Sequence, residues 1–193
     1  PLDVAAAEFL LATAYSLEGA DLDAATDHLE ATERALDEAI AQGQADPGRV
    51  AQVRFERGSL AAQRGDLPTA VARYREALAL ADASADETVR PHRVLARNNL
   101  AFHLHLLHPG DPEAQALAEA GLALAHSLGL LSLTPYLYST LGEIKLAQGD
   151  LDAAERSFNQ GLAEAERVAM PERIAGLTAN LGLVAQARGD NTM

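Results

Sequence analysis

Three histidines, His103, His105 and His108, are the densest group of potential metal ligands or proton-transfer residues in this 193-residue chain. On a helix advancing about 100° per residue, His105 and His108 lie about 60° apart, whereas His103 points about 160° away from His105. The three rings therefore cannot meet one ion, and packing and capping roles are expected for them. The other constellations that carry chemistry are missing. There is no Gly-rich phosphate loop, no nucleophile elbow and no His-Glu-x-x-His, and cysteine is absent, which removes thiolate chemistry and disulfides. The expectation is a protein that is not an enzyme and that holds no metal or cofactor.

Composition narrows the alternatives. The hydrophobic content of 48 % is mostly Ala and Leu, with only 4 % aromatic residues, which suits helices in close contact rather than a β-sandwich. A net charge of −13 argues against direct nucleic-acid binding, which needs a basic stripe. No apolar run approaches the roughly 18 to 20 residues of a membrane span, and Pro1-Leu2-Asp3 is not the basic start of a signal peptide. The expected compartment is the cytoplasm. All the basic residues except Lys145 are Arg, a usage that, with so much Ala, suggests a GC-rich bacterial genome.

The elements that must position any site are set by a repeat. Gly65-Asp66-Leu67, followed by Ala70, Tyr74 and Ala77-Leu78, returns as Gly149-Asp150-Leu151 with Ala154, Phe158 and Gly161-Leu162. Looser copies begin at Ala20-Asp21-Leu22 and Gly110-Asp111-Pro112. Each copy is preceded by a helix with a small residue at a fixed place: Ala12, Gly58, Ala101 and Gly142, and Gly182 marks a fifth such helix. Small residues there, and at Ala25, Ala70, Ala114 and Ala154, let antiparallel helices cross closely, while Tyr74, Phe158 and Leu29 fill the next layer.

This pattern resembles the tetratricopeptide repeat family, over residues 3 to 190. The steps between the small residues are 46, 43, 41 and 40 residues, longer than the standard repeat of about 34. They are similar to the long repeats of kinesin light chains and of the helical arms of bacterial regulators. The resemblance implies an all-α fold, an α-solenoid of antiparallel helix pairs wound as a right-handed superhelix. It also implies one array over 1–193, with repeats at about 3–43, 47–83, 90–129 and 132–169 and a partial unit at 171–190. Arg54 and Arg57 depart from the pattern, standing where apolar residues belong; either the second repeat packs irregularly or carboxylates pair with them.

The resemblance further implies that the first helices line an inner groove that binds a protein or peptide. Residues three or four apart share a face. That face carries Gln52, Phe55 and Ser59 on one helix, and Leu95, Asn98, Phe102 and His105 on the next, with Asn99 at its edge. Tyr136, Ser139 and Glu143 follow on the fourth first helix, and Asn180 on the fifth. By resemblance, Asn99 and Asn180 match an asparagine that contacts peptide backbone, a place held by Thr140 and Glu56 in the other units. Phe55 and Phe102 on a solvated face call for something to cover them.

Start and stop signals place the helices at about 3–18, 21–42, 46–64, 66–83 and 91–107, with further starts at Asp111, Pro135, Asp150 and Pro171. Residues 83 to 90 are expected to be the loosest connection. By this division the first helices carry about +4, the second helices about −13 and the remainder about −4, so the acidity is read as a solvated outer surface. The chain stops near Gly189, where the fifth unit's second helix should begin. It is therefore expected to be a piece of a longer protein, and self-association through an uncapped C-terminal end is the alternative function.

Overall fold

Asp residues open the second helix of every pair. The computed structural model describes residues 1–18 and 21–189, and in it Asp21 accepts from Asp23 N and Ala24 N, Asp66 from Thr69 N, Asp111 from Glu113 N and Asp150 from Ala153 N. Each carboxylate satisfies N–H groups that a helix start leaves orphaned. Gly65 and Gly149, just before two of these caps, have φ of +78° and +79°, the left-handed conformation that ends the preceding helix. A Cβ at either would touch nothing, so the backbone and not the space selects glycine. The stop expected at Gly19, and the residues after Gly189, lie outside the described residues.

Nine α-helices result among the described residues: α1 (Leu2–Glu18), α2 (Leu22–Ala41), α3 (Val50–Gln63), α4 (Leu67–Ala83), α5 (Arg90–Leu107), α6 (Pro112–Ser127), α7 (Thr134–Ala147), α8 (Leu151–Arg167) and α9 (Pro171–Arg188). Single 3₁₀ turns at Pro47–Arg49, Glu87–Val89 and Leu131–Leu133 lead into α3, α5 and α7. No strand occurs among the described residues. The chain is an all-α solenoid-type fold, and it divides into two compact units, Pro1–Ala96 and Arg97–Met193.

In the first unit α1 packs on α2 and α3 on α4, around Ala25, Leu29, Val53, Leu60, Ala70 and Tyr74, all nearly inaccessible. Tyr74 lies against Gly58, where an added Cβ would meet its ring at 2.8 Å, and its hydroxyl donates to Ser59 Oγ at 3.2 Å. The second unit repeats the arrangement with α7 on α8 and α8 on α9, burying Leu137, Ile144, Phe158, Leu177 and Val184.

The connection at 83–90 is not loose. Asp46 Oδ1 caps Gly48 N at 2.7 Å and accepts from Ser84 Oγ at 2.6 Å. Ser84 Oγ in turn accepts from Asp86 N at 3.0 Å, and Asp86 Oδ1 accepts from the Thr88 amide and hydroxyl. Arg93 closes the segment by donating to the Ala81 and Ser84 carbonyls. The short polar residues that read as loop in isolation are thus a hydrogen-bonded seam whose key partner lies 38 positions earlier.

Candidate functional site

Arg54 and Arg57 are paired, not misplaced. Glu33 of α2 accepts from Arg54 Nη2 and from Arg57 Nη1, the latter at 2.9 Å. Arg57 also reaches Glu30 at 3.4 Å, and Arg54 Nε lies 3.5 Å from Glu76. This network welds α2, α3 and α4, and leaves the opposite face of α3 for Gln52, Phe55, Glu56 and Ser59.

On that face Phe55 is only 9 % exposed. It is covered by the chain itself, with the Tyr74 ring centroid 5.3 Å away and the His92 ring edge-on at 6.0 Å. Ser59 donates to the Phe55 carbonyl at 3.3 Å. Glu56 is half-buried, its carboxyl pushed above the ordinary range by desolvation, and it makes no hydrogen bond or ion pair among the described residues. Leu95 sits half-buried on the first part of α5.

The second unit draws most of the remaining residues together. Asn98 donates to Asn99 Oδ1 at 3.2 Å and accepts from Thr140 Oγ1 at 3.0 Å, tying α5 to α7. One turn on, Ser139 donates to Glu143 Oε1 at 3.1 Å, and Asn180 Nδ2 reaches both Ser139 Oγ and Glu143 Oε1 at 3.4 Å, tying α7 to α9. Tyr136, 37 % exposed, lies under the Arg173 guanidinium at 4.8 Å. Phe102 is half-buried and packs edge-on against His103 at 5.1 Å. The result is a polar ladder across α5, α7 and α9, with Phe102 one turn after Asn98 and Tyr136 one turn before Ser139.

The histidines take separate surroundings. His103 Nδ1 donates to the Asn99 carbonyl at 2.7 Å, which fixes its tautomer. His105 is 9 % exposed and its Nδ1 is buried without a partner among the described residues. His108 is exposed. Among the described residues no group of His, Asp and Glu could hold a metal ion.

Burial lowers the pKa of His92, His103 and His105, outweighing the opposing Asn99 hydrogen bond at His103 and the Glu143 charge at His105. Each binds fewer protons folded than unfolded below about pH 6.5, so its stabilising share is complete above that value and lost as pH falls toward the folded pKa. Glu56, raised, acts oppositely: its share is present below about 4.5 and lost as pH rises through its folded pKa. With three groups against one, the thermal midpoint is expected to fall between about pH 7.5 and about 5.5, and less so in His105→Asn. A flat or rising midpoint would contradict burial as the dominant influence on these rings.

Arg173 joins the candidate site without any motif of its own. Arg173 sits in the first turn of α9, and only the packing of α9 beside α7 brings it over Tyr136.

No family model matches the sequence, and no curated protein matches it. Solved structures similar in fold include two helical-repeat proteins. The apo form of RapI superposes with a TM-score of 0.79 at 13 % identity, over 96 % of this chain and 64 % of RapI; the present chain thus spans under two thirds of that protein. BtubC (BKLC) from P. vanneervenii superposes with a TM-score of 0.79 at 22 % identity, over 98 % of this chain and 76 % of BtubC. At these identities the likeness is one of fold: helical repeats.

Proposed function

We propose that this chain is a non-catalytic, tetratricopeptide-like scaffold that binds an extended protein or peptide segment, in the cytoplasm, as a module of a larger bacterial regulator. Its sequence reads as one repeat series. The observation that carries the binding reading is the ladder of Asn98, Asn99, Thr140, Ser139, Glu143 and Asn180 across three successive first helices. An extended peptide presents alternating N–H and C=O groups, and primary amides serve both as donors and acceptors. Phe102 and Tyr136 supply apolar contact beside them, and His105, its Nδ1 buried without a partner among the described residues, belongs to the same face of α5. Gln52 and Ser59 offer similar chemistry on α3, while Phe55 contributes as the buried support of that face. The regulatory role and the kinship with kinesin-light-chain repeats rest on the sequence resemblance.

Burying one Phe contributes roughly 1.5–3 kcal/mol and each net hydrogen bond about 1 kcal/mol, against the ordering costs of both partners. The affinity expected is roughly micromolar. Panning a random peptide display library on the wild-type chain should enrich a sequence that binds it and is held at least about tenfold more weakly by the folded Asn99→Ala, Phe102→Ala double variant. Peptides that bind both proteins equally would place recognition elsewhere.

Self-association is the second reading, and one contrast favours it. The space beside Gly142 is filled by the Phe158 ring, whereas a Cβ at the corresponding Gly182 of α9 meets nothing within 4 Å among the described residues, and Leu183 beside it is 50 % exposed. Sedimentation equilibrium separates the two readings: concentration-dependent association, unaffected by Asn99→Ala and weakened by Leu183→Glu, belongs to self-association alone.

A further inference from the structure

We propose that the cavity between α1, α2, α3 and the start of α5 binds a small amphipathic acid, an apolar tail bearing one carboxylate. The cavity measures about 450 Å³, within the roughly 300–1,000 Å³ of small-molecule sites. Its body is apolar, formed by Ala5, Phe9, Leu10, Leu36, Val53 and Val89.

Three polar residues of the lining, Arg49, Thr88 and Gln52, lie near one another, and Thr32 of α2 and His92 of α5 line it as well. Arg49 Nε donates to Asp86 Oδ2 at 3.1 Å and the Thr88 hydroxyl donates to Asp86 Oδ1 at 2.7 Å, so one carboxylate draws both to the same place, with Gln52 one turn along α3. Arg49 makes no other hydrogen bond among the described residues, which leaves its Nη groups available in a fork that matches a carboxylate. His92 lines the cavity too, its Nδ1 buried without a partner among the described residues. Asp86 already pairs with the Nε side of Arg49, so the preference for an acid rests on the remaining Nη edge of the guanidinium: tail inward, anion at that edge. This site shares only Gln52 with the peptide-binding face proposed above and stands independently of it.

Isothermal titration of the full chain with octanoate, decanoate and decanol tests the assignment. Decanoate is expected to saturate one site, to bind roughly tenfold or more tightly than octanoate because each buried methylene strengthens binding by up to about fourfold, and to bind more tightly than decanol. Arg49→Gln should abolish the preference for acid over alcohol. Ala6→Trp, at an exposed position on the lining, should weaken decanoate at least about tenfold by filling the space. Leu10→Glu, at a position 70 % exposed, should do the same by placing a carboxylate at the mouth, and serves if the tryptophan variant misfolds by circular dichroism. Asn99→Ala should bind like wild type. Absence of a saturable site, or equal binding by both blocking variants, overturns the proposal; equal affinity for decanol overturns its anionic half.

Discussion

Phe158→Ala is expected to destabilise the Arg97–Met193 unit by about 3–5 kcal/mol, read as a lower urea midpoint of the helical circular dichroism signal at unchanged m value. The ring is completely inaccessible, and its place is made by an absence. A Cβ on Gly142 would stand 2.3 Å from one ring carbon and 2.5 Å from the next, so α7 and α8 cross with the ring occupying the volume that any other residue at 142 would take. Removing the ring leaves a cavity that backbone on the α7 side cannot refill, because glycine has no side chain to relax into it.

The reciprocal change follows. Gly142→Ala forces the ring aside within a closed core, costing about 1–3 kcal/mol despite alanine's better helix propensity. Combining it with Phe158→Leu should be less harmful than the sum of the two single changes, since the smaller side chain vacates the space the methyl needs. A neutral Gly142→Ala would show that the ring has room to move and would weaken the case for direct contact. The same logic joins Gly58 to Tyr74 in the first unit, where the hydroxyl's bond to Ser59 adds a polar term.

Glu33→Ala is expected to cost about 2 kcal/mol, more than loss of any single rim carboxylate. Its side chain is 15 % exposed, those of Arg54 and Arg57 are 23 % and 21 % exposed, and among the described residues it is the one acid that both guanidinium groups share. Removing it strands two mostly desolvated cations on Glu30 and Glu76, which are 45 % exposed. The loss is smaller than the roughly 3–5 kcal/mol of a fully buried pair because those rim partners and partial hydration remain. Replacing the whole group, Glu33→Ala with Arg54→Leu and Arg57→Leu, should recover most of the loss, since apolar residues of similar size need no counter-charge. If the triple variant is as unstable as Glu33→Ala alone, the ion network is holding a geometry that apolar packing cannot replace. By contrast Arg64, paired with a 95 % exposed Asp23, should tolerate alanine within about 0.5 kcal/mol.

The sequence alone determined the helices and their order. Gly-Asp turns, proline starts and the spacing of small residues act within a few positions, through caps and i to i+4 bonds, so they are legible one segment at a time. It also identified Gly142 and Phe158 as members of one repeated pattern. Which carboxylate meets Arg54 and Arg57, what covers Phe55, why 83–90 is a seam and not a loose loop, and that α1 to α3 border an open cavity were decided only by tertiary structure. Each depends on the axial register and crossing of helices 20 to 40 residues apart in the chain, set by the fit of many side chains at once. The site residues divide the same way: Asn98 and Asn180 were visible by position, but their ties to Thr140, Ser139 and Glu143 exist only because α5, α7 and α9 lie side by side.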